Sequence, residues 1–262
     1  MKNITILLPV YKIDEDDEVM LKNALTSIED FHNDVKVSII CPKSLLSKFE
    51  TFDFGQKLEI KLVTNDTDNT GFSSQINIGI DDCDTEWFSI LEIDDEFKKT
   101  WLKSMHEYIN EYKDVDVFLP IVKDINTEGK FLSFTNESVW AYGFSKIHGE
   151  LDNDVLLDYQ NYQTSGGLFK TETIKNYGKL KDNIVLTFTY EFLLRLTYNG
   201  VKIMVVPKVG YQHVNFRENS LFWSYKNDEQ NKLSEKQVKF WLETAKKEYF
   251  FKNKRDIEYV ES

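Results

Sequence analysis

Cysteine, proline and histidine are scarce in this sequence, and it has no long apolar run. Its 262 residues include only two cysteines, Cys41 and Cys83, which are too few for a disulfide framework or a cysteine-based zinc site. No apolar run approaches the ~20 residues that a membrane-spanning helix needs. The opening MKNITILLPVYK lacks the long apolar region and cleavage site of a signal peptide. We therefore expect a cytoplasmic protein without a membrane span.

Positive charge is also in short supply. The chain has 32 Lys and Arg against 44 Asp and Glu, for a formal net charge of −12. Since binding a phosphate backbone requires clustered Lys and Arg, nucleic acid is a possible partner but not a favoured one. The hydrophobic and charged fractions, 41% and 29%, are ordinary for a globular protein, and the length suffices for one large α/β domain.

Apolar runs alternate with amphipathic segments along the chain. Runs at 4–8, 35–40 and 58–63 predict buried strands, and helical spacing of apolar residues between 19 and 31 predicts a helix. This order is typical of a Rossmann-like, mostly parallel sheet flanked by helices. The remaining predictions are a helix capped by Ser73 and Ser74, helices at 97–112, 171–177, 190–198 and 234–251, strands at 115–122 and 201–206, and irregular loops at 124–165.

One stretch, WFSILEIDDEF at residues 87–97, joins an apolar strand to a dense acidic cluster. In an extended chain Glu92 and Asp94 point to one face and Asp95 to the other. Two carboxylates on one face suit Mg²⁺ or Mn²⁺, so Glu92 and Asp94 are predicted metal ligands. The alternative is a solvated acidic turn that begins the next helix, because carboxylates favour a helix N-terminus.

Five short motifs follow one another along the chain. They are ITILLPVYK near the N-terminus, Asn69-Thr70-Gly71-Phe72-Ser73 with Asn77 and Gly79, Glu92-Ile93-Asp94-Asp95, Gly166-Gly167-Leu168-Phe169, and Tyr211-Gln212-His213. In this order they resemble the family 2 glycosyltransferases of the GT-A fold, over about residues 1–220. In the acidic motif, Glu92 stands where that family normally begins its D-x-D-D.

The resemblance implies a nucleotide-sugar site and a domain division. The domain would span residues 1–220, and residues 221–262 would form a C-terminal helical extension packed on it. Glu92, Asp94 and His213 would hold Mn²⁺ or Mg²⁺. The residues that would bind the nucleotide-diphosphate sugar are Pro9, Val10, Tyr11, Asn69, Gly71, Asn77 and Asp95.

The general base is the main departure from the family pattern. The resemblance places an acidic pair six or seven residues before Arg195, but Phe188 and Thr189 stand there. Glu191 is the nearest carboxylate and the predicted catalytic base, since an acceptor hydroxyl must lose its proton as it attacks. The alternative is an i, i+4 ion pair between Glu191 and Arg195. Asp182 is a further candidate.

The resemblance implies a metal-dependent glycosyltransferase that moves a sugar from a nucleotide-diphosphate donor to a hydroxyl acceptor. Inversion is expected, because a single displacement inverts the anomeric centre and no covalent nucleophile is evident. A saccharide or glycan is the default acceptor, and a modified nucleobase in DNA is an alternative. A non-catalytic sugar-nucleotide or glycan-binding module is the second class. A nucleotidyltransferase ranks last, because the N-terminus lacks a glycine-rich basic phosphate loop.

Overall fold

A mixed β-sheet forms the centre of the molecule. The computed structural model describes residues 2–67, 69–218, 220–229, 232–247 and 249. The strands of this part are Ile4–Pro9 (β1), Val35–Pro42 (β2), Ile60–Asn65 (β3), Trp87–Ile90 (β4), Glu96–Phe97 (β5), Val117–Asn126 (β6), Phe131–Thr135 (β7), Glu150–Leu151 (β8), Leu168–Lys170 (β9) and Ile203–Asn215 (β10).

The strand order is β3-β2-β1-β4-β9-β6-β10-β5, with β7 paired to β6 and β8 paired to β10. β1 is parallel to β2 and β4, and β6 is parallel to β10. β9 is antiparallel to both β4 and β6, so β4, β6 and β10 run in one direction. Their carboxyl ends therefore meet at one edge of the sheet, where open α/β sheets place their ligands.

Helices cover both faces of this sheet. They are Glu15–Ile28 (α1), Leu46–Phe49 (α2), Phe72–Asp82 (α3), Trp101–Glu111 (α4), Asn153–Asp158 (α5), Thr171–Tyr177 (α6), Phe188–Tyr198 (α7), Leu221–Asn227 (α8) and Glu235–Lys246 (α9). Of the described helices, none is long and apolar enough to cross a membrane. The mixed α/β architecture predicted from the sequence is confirmed.

Two apolar cores lie on opposite faces of the sheet. Ile6 and Leu8 face one core with α1 and α4, while Leu7 faces the other with α3 and α7. This alternation along β1 is expected for a strand that is covered on both sides. The C-terminal helix α9 joins the second core, in which Ala245 is fully buried.

The helices α1 and α3 begin in different ways. Asp14 and Asp17 form a reciprocal capping box at the start of α1. The expected cap of α3 by Ser73 and Ser74 is wrong, because α3 begins at Phe72 with Gly71 as its N-cap. The Asn69 carboxamide makes this turn by accepting a hydrogen bond of 3.0 Å from the Gly71 N–H.

Residues 124–165 are more regular than predicted. β6 continues to Asn126, and β7 pairs with it in an antiparallel hairpin closed by Gly129, whose φ is +79°. β10 likewise continues to Asn215 instead of ending at 206. The sequence did not predict these strand segments, because their polar and exposed residues hide the apolar pattern of a strand. Phe97 lies in β5, and the helix predicted from 97 begins at Trp101.

Candidate active site

The acidic residues after β4 form a turn and not an extended strand. The Asp95 N–H donates to the Glu92 carbonyl at 3.2 Å, which folds the four residues 92–95 back on themselves. The alternation of side chains that holds in a strand does not apply to a turn. The expectation that Glu92 and Asp94 share a face opposite Asp95 is therefore wrong, and the turn brings Glu92 and Asp95 together.

Glu92, Asp95 and His213 form a compact group, which we call the acidic cluster. One potential ligand atom from each lies within 4.8 Å of the others. His213 Nδ1 is 2.9 Å from one Asp95 carboxylate oxygen and 3.1 Å from the other. The Val214 N–H donates to Asp95 at 2.9 Å. The cluster thus joins the turn after β4 to β10. Such a contact is possible because the two strands run in the same direction and end at the same edge of the sheet.

Burial and crowding control the protonation of this cluster. Burial, followed by repulsion from Asp95, raises the pKa of Glu92 to about 7. Burial disfavours a charged His213, but the Asp95 carboxylate outweighs it and raises the pKa of His213 to about 10. A proton on His213 therefore balances the Asp95 charge at neutral pH, and a divalent cation would satisfy the same need.

Two hydroxyl groups contact Glu92. Ser165 Oγ donates to Glu92 Oε1 at 2.6 Å, and the Tyr211 hydroxyl accepts a hydrogen bond from the Glu92 backbone N–H at 3.1 Å. Tyr211 belongs to one of the sequence motifs, whereas no motif includes Ser165. Strand alternation was a usable signal for Tyr211, since it lies two residues before His213 on β10.

Asp94 lies outside the acidic cluster. Its carboxylate accepts a hydrogen bond of 2.6 Å from Arg217 Nε. The same guanidinium lies 3.5 Å from Asp17 in the first turn of α1. All three side chains are largely buried, so a positive charge is fixed beside the cluster, just beyond the end of β10.

Comparison with known proteins identifies the family. The model of the family described as Glycosyl transferase family 2 matches residues 21–164, more than half of the chain. The protein belongs to this family. The matched residues include the acidic turn and end before His213. No curated protein matches the sequence.

Solved structures with the same fold include TarS of S. aureus. TarS 1-349 is 20% identical, with a TM-score of 0.63 over 82% of this chain and 60% of that one. TarS 1-349 in complex with UDP-GlcNAc is 17% identical, with a TM-score of 0.64 over 96% of this chain and 74% of that one. This chain spans 46% of a longer TarS chain, at 18% identity. The likeness establishes the GT-A fold.

In this family 2 chain the predicted nucleotide residues lie at the end of β1, in the turn before α3, within α3 and, for Asp95, in the acidic cluster. Pro9 and Val10 are buried at the carboxyl end of β1, and Tyr11 beyond them is 44% exposed. Asn69 and Gly71 form the turn before α3. Asn77 donates to the Leu180 carbonyl at 2.7 Å and accepts from the Leu180 N–H at 2.9 Å. These two hydrogen bonds hold the loop after α6 against α3, so Asn77 has a structural role.

The carboxylate of Glu191 is enclosed by hydrogen-bond donors. Glu191 is 1% exposed, and both of its oxygens accept hydrogen bonds of 3.0 Å from Arg195. Lys181 lies 3.0 Å away, and the Tyr249 hydroxyl donates at 2.7 Å. Burial favours a neutral carboxyl, but the Arg195 and Tyr249 hydrogen bonds outweigh it and lower the pKa of Glu191. This arrangement favours the ion-pair alternative over a catalytic base.

Proposed function

We propose that this protein is a metal-dependent glycosyltransferase that moves a sugar from a nucleotide-diphosphate donor to a hydroxyl acceptor, with inversion. The observation that carries the proposal is the acidic cluster of Glu92, Asp95 and His213, which lies at the carboxyl edge of the sheet in a family 2 chain. A saccharide or glycan is the proposed acceptor. A modified nucleobase in DNA is less favoured, because the chain carries a net charge of −12.

The donor set of the cluster fits Mn²⁺ or Mg²⁺. Carboxylate oxygens are preferred ligands of both ions. Burial and then repulsion from Asp95 raise the pKa of Glu92, and a cation held by these carboxylates would offset both effects. When bound, the metal would supply Lewis-acid neutralisation of the departing diphosphate. Asp94, predicted as a ligand from the sequence, lies on the same turn and pairs with Arg217.

The chain's own residues contribute binding and orientation. We assign the nucleotide to Pro9, Val10, Tyr11 and the turn at 69–71, where the first N–H groups of α3 and its dipole favour an anion. Arg217, fixed by Asp94, is a guanidinium suited to a diphosphate oxygen. One TarS structure contains UDP-GlcNAc and another contains UDP. A uridine diphosphate sugar is accordingly the first donor to test.

The general base that would deprotonate the acceptor hydroxyl is the main point at which this chain departs from the family pattern. A carboxylate with a lowered pKa that is held by Arg195 is a poor base. We therefore assign Glu191 to structure, as the partner of Arg195. Asp182, which is exposed in the loop before α7, is the remaining candidate from the sequence analysis.

The test is release of nucleoside diphosphate from a panel of sugar nucleotides, with Mn²⁺ and with a chelator. We expect metal-dependent release from one donor, reduced by at least about 100-fold in Asp95→Asn, because removal of a ligand charge weakens the metal site. Asp114→Asn is the matched control, since Asp114 is exposed and pairs with Lys202 away from the cluster. Release that persists with chelator, or in Asp95→Asn, contradicts metal-dependent transfer.

The second candidate function is a sugar-nucleotide-binding module without transfer. It is favoured by one observation, the absence of an exposed carboxylate in the described first turn of α7, where Glu191 is buried. Tight, metal-dependent donor binding without release, in the presence of a panel of saccharide acceptors, would support this function over catalysis.

A further inference from the structure

Tyr211 is buried directly behind the acidic cluster. The side chain is 0% exposed, and its hydroxyl accepts the Glu92 backbone N–H at 3.1 Å. Burial, and then the charges of Asp95 and Glu92, hold the pKa of the phenol well above its ordinary value. The phenol group therefore holds the backbone of the acidic turn at Glu92.

Gly166 and Phe97 pack against the Tyr211 ring from two sides. Gly166 has a φ of +74°, and a Cβ placed on it would lie 2.5 Å from the Tyr211 ring. Trp101 donates its indole N–H to the Gly166 carbonyl at 2.7 Å, which holds the glycine against the ring. Phe97 packs edge-on at a centroid distance of 5.2 Å. The hydroxyl consequently has one position, set by packing that involves no other part of the cluster.

Ser165 reaches the cluster from the same segment. It precedes Gly166, is 7% exposed, and donates its hydroxyl to Glu92 Oε1 at 2.6 Å. The Gly166 N–H donates to the Ile90 carbonyl at 2.8 Å, which ties the segment to the end of β4. The side chain and the backbone of Glu92 are thus held by two different hydroxyl groups.

We propose that Tyr211 and Ser165 are positioning residues that hold Glu92 beside Asp95 in the geometry that binds a divalent cation. The proposal rests on the proposed function, because it assumes that the acidic cluster is a metal site. Two buried carboxylates repel each other before a cation arrives, so neutral hydroxyl groups that fix the turn keep the ligands together. Partners of this kind behind metal ligands typically change metal affinity by about 10- to 100-fold.

The test is binding of Mn²⁺ alone, measured by calorimetry on the full chain. We expect Tyr211→Phe and Ser165→Ala each to raise the dissociation constant for Mn²⁺ by at least about tenfold. Tyr190→Phe is the matched control, because Tyr190 is also a buried tyrosine and its hydroxyl donates to the Leu156 carbonyl in the other core. We expect Tyr190→Phe to bind Mn²⁺ like the unmodified protein.

The unfolding midpoint of each variant identifies those folded at the assay temperature, and either hydroxyl variant alone suffices for the test. A folded variant that binds Mn²⁺ as tightly as the unmodified protein overturns the proposal while leaving the metal site intact. Absence of Mn²⁺ binding by the unmodified protein overturns the metal site itself, and the proposal with it. A tenfold loss in Tyr190→Phe also overturns it, because loss of any buried hydroxyl would then have the same effect.

Discussion

Single buried charges show how this chain uses its acidic residues in two different ways. Glu92 and Asp95 lie beside one positively charged side chain, His213, and the pKa of Glu92 is raised to about 7. Glu191 is as buried as Asp95 but has Arg195, Lys181 and Tyr249 around it, and its pKa is lowered. A crowded carboxylate pair retains a need for positive charge, whereas Glu191 has that need satisfied within the protein. Only the first arrangement calls for a ligand.

Replacement of Glu191 by Gln tests its structural role. The variant leaves the Arg195 charge without its partner, so we expect unfolding free energy at pH 7 to fall by on the order of 3 kcal/mol. Because the folded-state pKa of Glu191 is lowered, its contribution is present above the ordinary Glu value of 4.5 and is lost as the pH falls below it. The difference between the two proteins should therefore shrink toward about pH 3 in urea unfolding experiments.

Glu107→Gln is the matched control for this experiment. Glu107 also forms an i, i+4 pair with a basic residue, Lys103, but both side chains are exposed and 3.9 Å apart. We expect a change below about 1 kcal/mol there. An equal loss in both variants, or a Glu191→Gln loss that does not depend on pH, would show that the buried ion pair is not what Glu191 contributes.

At the scale of elements, the β6–β7 hairpin is joined to the site edge by one carboxylate. Asp124 on β6 is 2% exposed and pairs in register with His213 on β10. Four neutral groups donate to it, namely Thr135 at 2.5 Å, Ser133 at 3.0 Å, Gln163 at 3.0 Å and Asn215 at 3.2 Å. The residue therefore holds together β7, the segment before Gly166 and the end of β10.

Asp124→Ala should uncouple these elements. It leaves several buried donors without an acceptor, so we expect a loss of about 2 to 3 kcal/mol in the free energy of unfolding, measured with denaturant. Asp116→Ala is the control, because Asp116 precedes the same strand but makes only a partly exposed ion pair with Lys170 at 3.2 Å. A loss in the Asp124 variant no larger than that of the control would refute the connecting role.

The elements also show what the sequence reveals and what it conceals. β1, β2 and β4 are apolar on both faces, and their apolar runs predict them. The ends of β6 and β10 alternate apolar with polar residues that contact the site, and so resemble loops in the sequence. Glu92 and His213 are identifiable from motif order. The position of Asp95 depends on the 92–95 turn, and that of Ser165 depends on the pairing of β9 with β4. Neither the hydrophobic period nor the motif spacing predicts these two features.

The whole molecule is acidic, and its candidate site lies at one edge of the sheet. The two apolar cores lie on opposite faces of this sheet, and the acidic cluster lies at the carboxyl edge shared by β4 and β10. The net charge of −12 repels a polyanion. The carboxylates of the cluster instead favour a divalent cation.

The most direct test of the acidic cluster as a metal site is calorimetric binding of a panel of nucleoside diphosphates, UDP first, with Mn²⁺ and with a chelator. We expect one member to bind with Mn²⁺, and we expect the chelator or Asp95→Asn to weaken binding by at least about tenfold. Asp114→Asn should bind like the unmodified protein. Binding that is equally tight with the chelator and in Asp95→Asn, or no binding of any member with Mn²⁺, would contradict the assignment of the acidic cluster.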